Sequence, residues 1–183
     1  MAAAGDMPWE GREIGAEARK WNAAAEKAWV AGNGVAAAKA WAAGIRSDAR
    51  NAEAMWRLGL WLEESGRSSQ ATVLLDRLAE EWPTCGEVQA ARGRATAKME
   101  KAGVARTGTA LEGVRSAIAA GGDSAVLAEA ESELLLARGE WEEALAAAER
   151  GKPLAEGDEA AVAECERQAA RCRAADALFD PVE

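Results

Sequence analysis

Residues 52–85 read AEAMWRLGLWLEESGRSSQATVLLDRLAEEWPTC, and the spacing of their apolar and small side chains decides how the rest of the chain is read. Met55, Leu58, Gly59 and Leu62 recur three and four apart, as do Ala71, Leu75 and Leu78, so each set stripes one face of a helix. Gly66 stands between the sets and supplies the backbone freedom of a tight turn. Pro83 cannot continue a helix beyond the residue before it, and Trp82 at that point caps the apolar seam. The stretch predicts two helices folded back on one another. Gly59 and Ala71 stand where they cross, because a bulky side chain at a crossing would force the helices apart.

The same pattern occurs thirty-four residues earlier. Trp21 answers Met55, Ala24 answers Leu58, Ala25 answers Gly59 and Ala28 answers Leu62; past the turn, Gly32 answers Gly66, Ala37 answers Ala71, Trp41 answers Leu75 and Ala49 answers Pro83. Gly93 lies thirty-four beyond Gly59, but Ala110, Val114 and Ala117 lie thirty-nine beyond Ala71, Leu75 and Leu78. A five-residue insertion therefore falls near 100–108, where KAGVARTG reads as a lengthened turn. A fourth occurrence, ARGEWEEALAAAERGKPL, restores the order with Gly139, Trp141, Ala144 and Ala148. Asp158 to Leu178 then reads as one helix, with Val162, Cys165, Ala169, Cys172 and Ala175 along one side and polar residues on the other. A repeat array needs a terminal helix with a polar outer face, and this helix fits that role.

With Leu58-Gly59, Gly66, Ala71, Leu78 and Pro83 at these spacings, the second unit closely resembles the tetratricopeptide repeat, and the likeness extends over roughly Ala18 to Asp158. It implies an all-α fold, an α-α superhelix built as a solenoid of helical hairpins with a C-terminal capping helix. The chain then divides into a leader (1–17), four units (18–51, 52–85, 86–124 with the insertion near 100–108, and 125–157), the capping helix (158–178) and a tail (179–183).

Composition agrees with helices that approach closely. The chain is 49% hydrophobic yet only 5% aromatic, with eight Trp, one Phe and no Tyr among its 183 residues; alanine is abundant and is the best helix former. Twenty-two Lys and Arg stand against thirty-one Asp and Glu, a formal net charge of −9 that repels phosphate backbones and anionic lipid. The expected partner is therefore another protein, through an apolar or basic-amphipathic segment, and neither nucleic acid nor membrane. Cys85, Cys165 and Cys172 form no C-x-x-C pair and have no His to share a metal, which reads as free thiols in a reducing, cytoplasmic setting. The first fifteen residues carry Asp6, Glu10, Arg12 and Glu13 and build no signal-peptide core.

No constellation for catalysis emerges, so the chain is read as a non-enzyme without cofactor or metal. Lacking histidine, it lacks the commonest general base and zinc nitrogen ligand. Gly121-Gly122-Asp123 has neither the strand nor the G-K-[ST] of a phosphate loop and reads as a turn. Glu63-Glu64, Glu80-Glu81 and Glu142-Glu143 are adjacent pairs that point about 100° apart on a helix, so they read as solvated faces. Cys165 and Cys172 would hold their Cα atoms about 10 Å apart on one helix, too far for a disulfide, and read as buried small hydrophobes.

In tetratricopeptide arrays the first helix of each pair lines a concave groove, and the resemblance assigns that face here. It carries Arg19, Asn22, Glu26, Trp29 and Val30 in the first unit and Glu53, Trp56, Leu60, Glu63 and Glu64 in the second. Glu87, Ala90, Arg94 and Lys98 follow in the third unit, and Val126, Glu129, Glu133 and Leu136 in the fourth. Trp29, Trp56 and Leu60 would form an apolar patch ringed by carboxylates. Trp29 and Trp56 have two readings, groove anchors or packing between helices, whereas Trp21 and Trp41 occupy packing positions. The clamp that family members use for chaperone C-termini has asparagines where this chain has Glu26 and Leu60, which argues against that ligand. The resemblance implies an adaptor, a scaffold or a small subunit of a larger assembly. A secretion-type chaperone for an apolar cargo segment is the alternative, and an enzyme of unknown type the third reading.

Overall fold

A computed structural model describes residues 7–99, 103–155 and 157–179. The start of the leader, the centre of the insertion at 100–102, Glu156 and the tail from residue 180 lie outside the described residues. The described residues are helical throughout their regular structure, as expected, and the chain forms two compact units, Met1–Trp82 and Pro83–Glu183.

The first unit holds α1 (Ala16–Val30), α2 (Gly34–Ser47), α3 (Ala52–Glu64) and α4 (Ser68–Glu81), each packed on its neighbour in sequence. The second holds α5 (Gly86–Ala97), α6 (Val104–Ala117), α7 (Ala125–Arg138), α8 (Trp141–Leu154) and α9 (Glu159–Phe179). There α5 packs on both α6 and α7, and α9 packs on both α7 and α8, so α5, α7 and α9 form a row of helices in contact. Among the described residues no helix is long and apolar enough to cross a membrane.

Three of the hairpin turns are built alike. Gly32, Gly66 and Gly139 all adopt positive φ, at 74°, 72° and 79°. In each turn the glycine N–H donates to the carbonyl three residues back, at Trp29, Glu63 and Leu136. The next N–H donates five residues back, to Ala28, Leu62 and Leu135. A left-handed residue just past a helix end thus satisfies carbonyls the helix would otherwise leave open, and glycine reaches that conformation without a Cβ penalty. Where α2, α3 and α7 begin, Asn33, Asn51 and Ser124 accept a backbone N–H with their side chains.

Crossings occur at small residues. A Cβ on Gly59 would lie 3.2 Å from Leu75 Cδ2, and Ala71 is fully buried. At Gly93 a Cβ would lie 3.2 Å from both Leu134 and Val114 and 3.3 Å from Ala130, so α5 meets α6 and α7 at one point. Ala25, Ala37, Ala40, Trp41 and Ala54 form one core cluster in the first unit. Val114, Leu127, Leu134, Leu135 and Cys172 anchor the core of the second.

The insertion differs from its expected form. Residues 104–108, expected in a lengthened turn, belong to α6, which starts six positions before Ala110 where α4 starts three before Ala71. Part of the extra length therefore adds a helical turn instead of loop. At its other end α6 runs into a wide π turn, Ile118–Gly122, which Gly121 closes at φ 91°. This is the turn expected at Gly121-Gly122-Asp123.

Two substitutions separate the roles of glycine. Gly93→Val places methyls where three side chains already stand and is expected to cost about 1–3 kcal/mol. Gly66→Ala meets no neighbour but must hold a left-handed backbone, at about 1 kcal/mol. Urea unfolding followed by circular dichroism measures both, and equal losses at the two sites would contradict the steric account of Gly93.

Candidate functional site

The leader is tied down. Residues 7–12 turn twice, with Glu10 N–H donating to Met7 and Arg12 N–H donating to Trp9, and this packing leaves Trp9 only 7% exposed. Its indole meets Trp56 of α3 at 5.8 Å between ring centres and Trp82 at the end of α4 at 5.1 Å, edge to face. Arg12 lies over the Trp82 ring at 5.5 Å and pairs with Glu81. Further along, Gly15 N–H donates to Asp48 Oδ2 at 2.9 Å, and the Arg19 guanidinium donates to the Ile14 carbonyl at 2.9 Å. That backbone bond from Gly15, followed by one from Arg50, holds the Asp48 carboxyl below the usual carboxylate range.

The expected binding residues of the first unit thus have assigned neighbours. Arg19 is turned toward the leader. Asn22 forms a reciprocal amide pair with fully buried Asn51, at 2.8 and 3.2 Å, and also donates to Glu53 at 3.0 Å. Trp29 is half-buried against Trp41 at 5.7 Å, and Trp56 against Trp9, so the two do not pair with one another. Leu60 is half-buried, while Glu26, Val30 and Glu64 are exposed. Glu63 is a correction to the solvated-face reading: it is buried, at 7% exposure, because it shares the Trp56 and Leu60 side of α3, whereas Glu64 is rotated into solvent. Trp21, expected as a packing residue, keeps 38% of its surface exposed, because no earlier helix among the described residues covers the outer side of α1.

In the second unit the structure gathers three of the expected residues. Arg94 of α5 and Glu129 and Glu133 of α7 share one electrostatic neighbourhood with Lys98 and with Arg171 of α9, whose guanidinium is 3.8 Å from Glu133. Burial lifts the Glu133 carboxyl above its ordinary range; Lys98, Arg94 and Arg171 oppose that lift, and Glu129 adds to it. Its Oε2 accepts no hydrogen bond among the described residues. Glu87 and Val126 are exposed, Leu136 is half-buried, and Ala90 is in the core.

Sequence spacing carries no sign of Glu131. It is buried on α7 between Arg115 of α6 and Arg150 of α8, each donating at 2.7 Å, and Arg150 also reaches Asp123 at 3.5 Å. Burial pushes the Glu131 carboxyl up, but the two guanidinium hydrogen bonds outweigh it and hold the group below the usual range. Ser132 donates to the Ala144 carbonyl at 2.8 Å and accepts from buried Gln168 at 3.3 Å. Gln168 is thus a polar core residue on α9 that its apolar stripe conceals. Cys165 and Cys172 are buried, as expected, and burial raises the Cys165 thiol. Among the described residues, no three His, Cys, Asp or Glu side chains are placed to hold a metal ion.

No family model matches the sequence, and no curated protein matches it. Solved structures do match in fold. A crystal structure of MamA protein superposes with a TM-score of 0.66 at 17% identity, covering 93% of this chain and 99% of that one. A thermophilic TPR protein of Thermus thermophilus gives 0.62 at 16% identity, covering 91% and 93%. MamA from Desulfovibrio magneticus gives 0.64 at 13% identity, covering 92% and 99%. The fold is shared with these structures, a tetratricopeptide-repeat protein among them: all-α, with sequential helical hairpins.

Two glutamates of α7, Glu131 and Glu133, should respond oppositely to pH. Stability from Glu131, whose carboxyl is depressed, is present above the ordinary carboxylate value and is lost as pH falls through its lowered one. Stability from Glu133, whose carboxyl is raised, is present below the ordinary value and is lost as pH rises through its elevated one. Glu131→Gln is therefore expected to cost about 1–3 kcal/mol at neutral pH, and Glu133→Gln to raise the denaturation midpoint there. Unfolding curves at neutral and acidic pH distinguish the pair, and a loss of stability for both at neutral pH would refute the assignment.

Proposed function

We propose that this chain is an adaptor or scaffold, or a small subunit of a larger assembly, that holds a polypeptide segment against the first helices of its hairpins, α1 and α3 in the first unit and, by the same pattern, α5 and α7 in the second. The residues that would contact the partner are those read from the sequence, with Trp56, Leu60 and Glu53 on α3 and Arg94, Glu129 and Glu133 on α5 and α7. In this reading 18–51, 52–85, 86–124 and 125–157 act as the repeat units. The reading calls for no catalytic step and no cofactor.

One observation carries it. A polypeptide segment already lies against one of these first helices: residues 7–15 of the chain itself place an indole against Trp56 of α3, and reach beyond it to Trp82 and Glu81 at the end of α4. The aromatic contacts are worth about 0.5–1.5 kcal/mol each beyond their buried area, and the guanidinium over Trp82 about 0.5–1 kcal/mol. An apolar side chain followed by a cation is the partner chemistry expected for an acidic chain, and the leader supplies both.

A labelled peptide of residues 7–15 tests the surface. In the intact protein the tethered leader competes at an effective concentration of order mM, so the peptide binds weakly. Replacing Trp9 and Arg12 together with Ala empties the surface, and peptide affinity should then rise by about tenfold or more. Adding Trp56→Ala should abolish the gain, with circular dichroism confirming that each variant folds. If the emptied protein binds the peptide no better, or binds it equally well without Trp56, this surface does not receive polypeptide and the proposal fails.

A further inference from the structure

A second surface of the first unit has the form of a docking groove, and it lies on different residues. A groove of 590 Å³ runs between α2, α3 and α4. Exposed Val35 of α2 and Val73 of α4 line it together with half-buried Leu58 and Leu74. The two valines are 58% and 59% exposed, among the most exposed large aliphatic residues of the chain. Val35, Ala38 and Ala42 recur along one side of α2, so the apolar strip extends over about 10 Å, or two helical turns. Single exposed aliphatics are ordinary, but here two line one groove beside further apolar side chains.

The charged residues that line the groove are opposite in sign to the net charge of the protein. The chain carries −9, yet no Asp or Glu lines the groove, and its charged lining residues are Lys39 and Arg67. Both are exposed, and neither pairs with a carboxylate among the described residues. Arg67 is held over the Trp61 ring at 5.5 Å, which fixes the guanidinium at the rim. At physiological salt, fields are screened beyond about 8 Å, so an approaching segment responds to these two cations more than to the net charge of the molecule.

We infer that this groove docks an amphipathic helix of a partner protein, with aliphatic side chains on one face and carboxylates beside them to meet Lys39 and Arg67. The strip suits a helix because it is open along its length. A helix lays its aliphatic face over the valines and keeps its polar face in water, whereas a lipid chain lying there would keep much of its own surface in water. A basic helix would bring its cations against Lys39 and Arg67. The inference does not depend on the leader-covered surface, which uses the Trp56 side of α3.

The test uses two synthetic helical peptides with Leu at alternating three- and four-residue spacing, one carrying Glu at its flanking positions and its twin carrying Lys there. Fluorescence anisotropy against the full chain at about 0.15 M salt should show the Glu peptide binding about tenfold or more tighter than the Lys twin. The double variant Lys39→Glu with Arg67→Glu should reverse that order. Val73→Asp should weaken the Glu peptide by about tenfold, with an unchanged circular dichroism spectrum because the side chain is already exposed. The inference is overturned if neither peptide binds, or if the charge reversal leaves the preference as it was. It is also overturned if laurate displaces the Glu peptide and binds with higher affinity, or if Val73→Asp instead abolishes self-association measured by sedimentation, which would make a second copy the occupant.

Discussion

Close approach of helices at residues with little or no side chain is the constraint on which the structure depends. Gly59 against Leu75, Gly93 against Val114 and Leu134, and the buried alanines at 25, 37, 54, 71, 110 and 144 leave no room for more than a methyl group. Such seams bring backbones together and gain dispersion across many short contacts, but each alanine buries less apolar area than a leucine would. The missing bulk is supplied at the ends of the helices. Trp9, Trp56 and Trp82 cluster where α3 begins and α4 ends, and Trp29 and Trp41 meet within the first hairpin. With one Phe and no Tyr available, tryptophan packs both within the first hairpin and against the leader, which explains why sequence position alone does not assign these residues.

What is legible in the sequence follows from the range of each interaction. Turn glycines, crossing alanines and apolar spacing are local, and they repeat at a fixed period, so the hairpins can be read directly from Gly32, Gly66 and Gly139. The leader cannot be read in this way. Its contacts join Trp9 to residues 56 and 82 with no intervening periodicity, and only the folded chain places them together. Glu131 is hidden for a related reason: its burial depends on arginines from the two flanking helices pointing at the same carboxylate. Gln168 is hidden because an amide in an apolar stripe gains a partner only once Ser132 faces it. Residues 104–108 read as loop because the period breaks there, yet an insertion can extend a helix as readily as a turn when its residues are compatible with helical backbone.

Net charge is a poor guide to local chemistry here. An excess of nine negative charges describes the chain as a whole, but on α7 a carboxylate is held ionised by Arg115 and Arg150, while two residues further along another is pushed toward its neutral form by burial. The two differ in how many cations complete hydrogen bonds to them. Arg115 and Arg150 each bond Glu131 at 2.7 Å, whereas Arg171 stands 3.8 Å from Glu133, too far for a hydrogen bond. At that distance attraction does not compensate for lost solvation.

The first unit separates two kinds of surface on a single helix. At about 100° per residue, Leu58 and Leu62 lie well over 90° around α3 from Trp56, so the leader-covered side and the groove between α2 and α4 are different faces of one element. They differ in charge as well as position, since Glu81 receives a guanidinium on the first while Lys39 and Arg67 border the second. On the proposed readings, a segment carrying cations suits the first and one carrying carboxylates the second. Discrimination of this kind requires no change of conformation, because it is set by which side of a rigid helix each charge is placed on. A protein that only masks one apolar segment gains little from such an arrangement, whereas a protein that must hold two unlike segments without exchanging them depends on it.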